Sequence, residues 1–159
     1  MFGNLSEEGI EHVLKNQLLG HIGCHDNNKT YVVPICYAYD DHCIYGRTYE
    51  GFKITMMRNN PKVCFQVEHL ESMGQWQSVI CWGEFEELTD THKRNKGIEV
   101  LQKRVSAFMV DKNLRVSRHW PFSIDSDDIE GIIFCIHISE KTGKFEDTSM
   151  PEPSLSKWL

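Results

Sequence analysis

The chain has little that is apolar for long. Its longest nearly apolar run, Tyr31 to Tyr39, covers nine residues and contains Pro34, against roughly 20 for a helix that spans a bilayer. The opening Met1-Phe2-Gly3-Asn4-Leu5-Ser6-Glu7-Glu8 has neither the basic nor the apolar stretch of a secretory signal, so a cytoplasmic protein with no membrane association is expected. No internal repeat divides the 159 residues. A single domain over 1–159 follows, with 146–159, which holds Pro151 and Pro153, read as a loosely ordered tail. There is no G-x-G-x-x-G to support a dinucleotide fold and no G-x-S-x-G for a nucleophile elbow. The six cysteines form no C-x-x-C pair, which excludes a zinc ribbon and a thioredoxin-type site. An excess of positive charge is missing too: the net charge is −6, which argues against a nucleic-acid partner.

What remains is an ordinary globular composition, 40% hydrophobic and 25% charged, which excludes a disordered or collagen-like chain. Charge is uneven. The segment between His92 and His119 carries a net +6, which reads either as a solvated helix face or as an anion-binding surface. Cys24, Cys36, Cys64, Cys81 and Cys135 lie in β-like apolar runs, as buried free thiols of a reducing compartment do.

Periodicity separates the elements. Ser6 before Glu7 and Glu8 caps a helix whose apolar face is Ile10, Val13 and Leu14. Leu18 to Cys24 reads as a strand, His25 to Lys29 as a hairpin turn, and Thr30 to Tyr39 as a long strand in which Pro34 marks a bulge or an edge. Cys43 to Gly46 is a short strand, and Gly51 to Asn59 a helix stopped by Asn60-Pro61. Lys62 to His69 alternates strictly, and Trp76 to Leu88 is another long strand. A helix capped by Thr89-Asp90 runs to about Met109 with the stripe Ile98, Leu101, Val105, Phe108; after an irregular stretch comes a final strand, Gly131 to Ser139. Several antiparallel strands with two or three helices predict an α+β domain on a small barrel.

The segment Tyr45 to Lys53 is the most informative. A strand ends, a glycine-containing turn follows, and a helix opens near Gly51, with Arg47, Thr48 and Lys53 clustered at its start. Unpaired N–H groups, two cations and a hydroxyl there suit a phosphate, and an Arg and a Lys on a solvated surface is the other reading. Arg118 and His119, beside Trp120-Pro121, read either as a packed basic loop or as a source of substrate contacts. His21, Cys24 and His25 make a poor metal set, because on a strand Cys24 points away from the histidines; adjacent His42 and Cys43 likewise face opposite sides. No metal is expected.

The string Tyr45 to Lys53, followed by Arg58-Asn59-Asn60-Pro61-Lys62-Val63-Cys64-Phe65-Gln66-Val67 and by Ser78 to Leu88, resembles the pyridoxamine 5'-phosphate oxidase-related flavin-binding proteins, and within them the nitroimidazole-resistance branch. The resemblance covers about Leu18 to Thr89, and the late strand ending Glu140-Lys141-Thr142-Gly143-Lys144 also fits. It implies a split β-barrel with flanking helices and a homodimer with FMN, or FAD as the alternative, at the dimer interface. It also implies oxidoreduction of a small molecule, either nitroreductase-like or pyridoxamine-phosphate-oxidase-like. By position Lys53 would hold the phosphate, with Arg47, Thr48 and Gly46 beside it; Pro34, Ile35 and Cys36 would lie along the ring, and Trp76 and Ser78 would approach from a neighbouring strand. The nitroimidazole-resistance branch commonly has a histidine where this chain has Gly46, and the C-terminal Arg and His signature of the true oxidase is not recognisable. The same barrel also carries relatives that bind haem or deazaflavin, or that hold a flavin or nucleotide without catalysis.

Overall fold

A computed structural model describes residues 1–108 and 130–150. The elements are β1 (Phe2–Asn4), α1 (Glu7–Asn16), β2 (Leu19–Asp26), β3 (Lys29–Cys36), β4 (Ala38–Tyr39), β5 (Cys43–Thr48), α2 (Phe52–Asn59), β6 (Lys62–Ser72), β7 (Gln75–Glu87), α3 (Thr91–Phe108) and β8 (Ile132–Asp147). The eight strands form one antiparallel sheet in the order β3-β2-β6-β7-β8-β5-β4, with β1 added on β8. This is an α+β fold with three helices among the described residues. Among those residues, no helix is long and apolar enough to cross a membrane.

Local chemistry explains the elements. Ser6 caps α1, its hydroxyl accepting from the Gly9 N–H at 3.2 Å, and Ile10, Val13 and Leu14 are buried. Asn27 and Asn28 both take positive φ, 48° and 60°, so Asp26 and Lys29 pair across a tight turn whose twist suits a hairpin. Asp90 starts α3 by accepting from the Lys93 N–H at 3.0 Å. Of the stripe on α3, Leu101 is buried and Ile98 packs against it from the half-buried side, while the side chains of Val105 and Phe108 lie outside the described residues.

Alternation along the strands sends Ile22, Phe65, Val67, Val79, Cys81, Phe134 and Ile136 into one core, which α1 and α2 cover with Val13, Leu14, Ile54 and Met57. Gly20 is required by that packing: a Cβ there would stand 2.2 Å from the Phe65 ring. A second apolar cluster, Ala38, Tyr45, Leu88, Leu101, Ile133 and Cys135, lies beneath α3 on the other side of the sheet.

Two expectations shift. The long strand read as Thr30 to Tyr39 divides at Tyr37. Its N–H donates to the Leu18 carbonyl at 3.1 Å, its ring turns into the core, and Ala38–Tyr39 leaves β2 to pair with β5. Pro34 thus sits on an edge strand, where its missing N–H interrupts no ladder. The last strand runs to Asp147 rather than Ser139, because β7 pairs with it along its whole length and β1 covers the far end. Glu146 and Asp147, read as the start of a loose tail, are therefore strand residues, and residues 151–159 lie outside the described ones.

Candidate functional site

Arg47, Thr48 and Lys53 stand on one connection, from the end of β5 into α2. Gly51 precedes α2 with no side-chain cap and with open space where a Cβ would be, so the first N–H groups of the helix face outward without an internal acceptor. Lys53, in that first turn, is half-buried. Burial holds its ammonium below the ordinary lysine range, with the nearby Cys24 opposing this weakly. Among the described residues no carboxylate pairs with it. The Phe52 ring meets Tyr31 edge-on at 5.1 Å, which fixes the helix start against the β2–β3 hairpin.

Arg47 is the buried charged side chain among the described residues. Its Nε donates to the Glu130 carbonyl at 2.7 Å and its Nη2 to the Tyr49 hydroxyl at 3.3 Å. Nη1 is buried with no hydrogen-bond partner among the described residues. A guanidinium that lacks an acceptor at one corner carries an unmet desolvation cost, so the corner fits an anionic oxygen. Thr48 is half-buried, its hydroxyl in a long 3.4 Å contact with the Tyr49 carbonyl. Gly46 admits no side chain, because a Cβ would lie 2.4 Å from Phe134 Cζ; the ring occupies the space a histidine would need.

The other candidates lie along the sheet. Pro34 is exposed on β3, Cys36 is half-buried and packs against the apolar cluster beneath α3, and Ile35 points into the other core. Ser78 is on the same side of the sheet, with β2 and β6 between its strand and β3; its hydroxyl accepts from Gln66 Nε2 at 3.2 Å. Trp76 stands at the far end of β7, edge-on to Phe2 at 6.0 Å and donating to Glu146 at 3.0 Å. Within one chain, Trp76 and Ser78 are therefore not brought to the β5–α2 connection. Arg118 and His119 lie outside the described residues.

The outward face of β2, β3, β6 and β7 also holds a cavity of about 690 Å³, lined by Gly23, Val32, Lys62, Cys64, Trp82 and His137 among others. Val32 and Trp82 are exposed there, a large apolar patch for a lone chain. Single-residue reasoning had no means of finding this face, since it is assembled from strands whose order the sequence does not state.

A family model described as pyridoxamine 5'-phosphate oxidase matches residues 6–144. The chain belongs to the pyridoxamine 5'-phosphate oxidase family. Within reach of it is an uncharacterized protein of Rhizobium meliloti, 31% identical over 144 residues, covering 88% of this chain and 92% of that protein. Among solved structures, a FAD-binding protein from Mesorhizobium loti is 27% identical with a TM-score of 0.72, over 92% of this chain and 99% of that one. A candidate 5-nitroimidazole antibiotic resistance protein from Bacteroides thetaiotaomicron shares the fold at 18% identity and a TM-score of 0.69, over 91% and 87% of the two chains. The antiparallel sheet and three helices described above are the split-barrel fold of this family.

Proposed function

We propose that this family member binds a flavin by its phosphate end at the β5–α2 connection and uses it to oxidise or reduce a small molecule. The observation that carries the reading is the buried Arg47 guanidinium, whose Nη1 has no partner among the described residues, set on the same connection as a half-buried lysine that meets no carboxylate among those residues and an uncapped helix start. Two cations and several outward N–H groups on one short connection suit a dianionic phosphate better than they suit each other. The flavin would supply the redox chemistry; Arg47, Lys53 and Thr48 would bind and orient it. The Mesorhizobium loti relative, named as FAD-binding, favours FAD over FMN.

The apolar outward face favours a homodimer. Val32 and Trp82 would be covered by the second copy, and Pro34 and Ser78 share that side of the sheet. In a dimer the strands carrying Ser78 and Trp76 would approach from the neighbouring subunit, which answers their distance from β3 within one chain. Retention of the protein in the cytoplasm agrees with its six free thiols.

The test is the absorption spectrum of untagged protein and the mass of the ligand released on denaturation, which tells FMN from FAD. Anaerobic reduction by NAD(P)H and re-oxidation by added acceptors then distinguish an enzyme from a flavin store. A haem or deazaflavin spectrum, or no chromophore after incubation with FMN and FAD, would overturn the reading.

A further inference from the structure

Away from the β5–α2 connection, three adjacent strands bring four metal-ligating side chains to one spot. Cys135 and His137 are two apart on β8 and so share a face; Cys43 on β5 lies directly opposite His137, and Glu86 on β7 directly opposite Cys135. The ligand atoms of Cys43, Cys135 and His137 all lie within 4.8 Å of one another. Cys43 Sγ is 3.4 Å from His137 Nδ1, and Cys135 Sγ is 3.3 Å from Nε2. Glu86 takes the hydrogen bond of Nε2 at 2.6 Å and is itself paired with Lys93 of α3. Both sulfurs are buried, while the imidazole is exposed in the single chain, where it lines the same outward cavity as Trp82.

We propose that Cys43, Cys135 and His137 form a zinc site with one open coordination position. Tetrahedral zinc holds sulfur at about 2.3 Å and nitrogen at about 2.0 Å, which sets ligand atoms about 3.5–3.8 Å apart. The Cys43 Sγ–Nδ1 contact of 3.4 Å is already close to that spacing; Cys135 Sγ touches the other ring nitrogen, so its thiol has to swing toward Nδ1 for both sulfurs to share one metal with it. Nδ1 is the ligating nitrogen, because Nε2 is engaged by Glu86; a carboxylate that holds the far side of a ligating imidazole fixes its tautomer and orientation. Cys43 is held from behind as well: its N–H donates to Asp40 Oδ1 at 2.8 Å, and Asp40 Oδ2 accepts from the Tyr45 hydroxyl at 2.9 Å.

Binding converts two thiols to thiolates and releases two protons to solvent, so zinc and the two sulfurs sum to zero charge and no oxidant or reductant is consumed. The charged groups around the sulfurs are Asp40, Glu86, Lys93 and Lys96, two of each sign, which leaves the pocket close to neutral before the metal enters. Burial raises both thiols above their ordinary range, so proton release has to be driven by the metal itself. Thiolate ligands select zinc over magnesium or calcium, which prefer oxygen.

The experiment uses full-length protein, reduced and stripped of metal, titrated first with Co²⁺ and then with Zn²⁺. One Co²⁺ per chain is expected, with thiolate-to-cobalt charge transfer and tetrahedral ligand-field bands that Zn²⁺ abolishes. Cys43→Ser and Cys135→Ser should each lose the charge transfer. His137→Gln changes an exposed side chain, so it leaves folding intact and isolates ligation; it should weaken Zn²⁺ binding at least tenfold. Glu86→Gln should weaken it roughly ten- to a hundredfold, as loss of a carboxylate behind a ligating histidine does. Cys64→Ser should leave the spectrum unchanged. Absence of charge transfer, its survival in either cysteine variant, unaltered affinity in His137→Gln, or a Cys43–Cys135 disulfide in freshly reduced protein would each overturn the site. Flavin content measured on the same samples is an independent readout, so failure of the zinc site leaves the flavin reading standing and the reverse.

Discussion

Replacing Lys53 by Met tests the flavin reading on two quantities that move in opposite directions. In the free protein the ammonium is half-buried with no carboxylate beside it among the described residues, and burial lowers its pKa. Methionine keeps the stem and removes the charge, so apo Lys53→Met should unfold at a temperature equal to or above that of the parent. The bound phosphate, by contrast, loses a charge-assisted hydrogen bond worth about 1.5–3 kcal/mol, or roughly ten- to a hundredfold in flavin affinity. Fluorescence quenching of flavin by the apo-protein reads the affinity, and calorimetric unfolding reads the stability. A pH series adds a sign. Because the folded pKa is depressed, the unfolded chain binds the proton more readily, so apo stability attributable to Lys53 rises as pH climbs from the folded towards the unfolded value. Flavin affinity runs the other way, falling as pH rises through the lysine pKa, because the phosphate pairs only with the cation. Unchanged affinity in Lys53→Met, or a less stable apo-protein with normal flavin binding, would refute the assignment of this lysine.

Gly46→Ala should lower stability by about 1–3 kcal/mol, since its methyl enters the Phe134 ring, and Phe134→Leu in the same chain should restore part of it; denaturant midpoints check both. Tyr37→Phe should cost about 1–3 kcal/mol, because the buried Leu14 carbonyl that accepts its hydroxyl at 2.8 Å is left unpaired. The Cys81 thiol is pushed up by burial to about 12, so it should resist thiol reagents at neutral pH and react only on unfolding or in strong alkali, which mass analysis of modified native protein decides. Trp82→Glu should convert the protein to a monomer by light scattering at micromolar concentration, since a buried unpaired carboxylate opposes the interface proposed for that face.

The elements that local chemistry controls were legible in advance. Ser6, the Asn27-Asn28 turn, the Asn60-Pro61 stop and the strict alternation of β6 each act over a few residues, and each holds in the fold. The split at Tyr37 was not, because Thr30 to Tyr39 is uniformly strand-like and only the position of β5 pulls Ala38 out of line. The full length of β8 was legible only in part: periodicity ends it at Ser139 and the family resemblance at Lys144, and β7 running beside it carries the strand on to Asp147. At the candidate site, that Arg47, Thr48 and Lys53 stand on one connection is a matter of sequence separation and could be read directly. That Arg47 Nη1 meets no acceptor among the described residues could not, since it depends on which carbonyls surround it. The thiol–imidazole cluster illustrates the limit most clearly. Adjacent His42 and Cys43 face apart, and the histidine that meets Cys43 stands 94 residues later, brought there by the β5–β8 register.

The pairing of β1 with β8 has a consequence for how the protein is made. Residues 2–4 leave the ribosome long before their hydrogen-bonding partners, residues 144–146, are made. The central ladder has the same problem, since β7 must wait for a neighbour separated from it by α3 and the stretch that follows. During synthesis the edge of β7, thirteen residues long and carrying Val79, Ile80, Cys81, Trp82 and Phe85, is complete but unpaired. Such an edge is a template for another nascent chain, so the hazard of aggregation peaks between emergence of Glu87 and emergence of Asp147. A ribosome stalled in that window should hold a chain that engages chaperones, and one released after it should not.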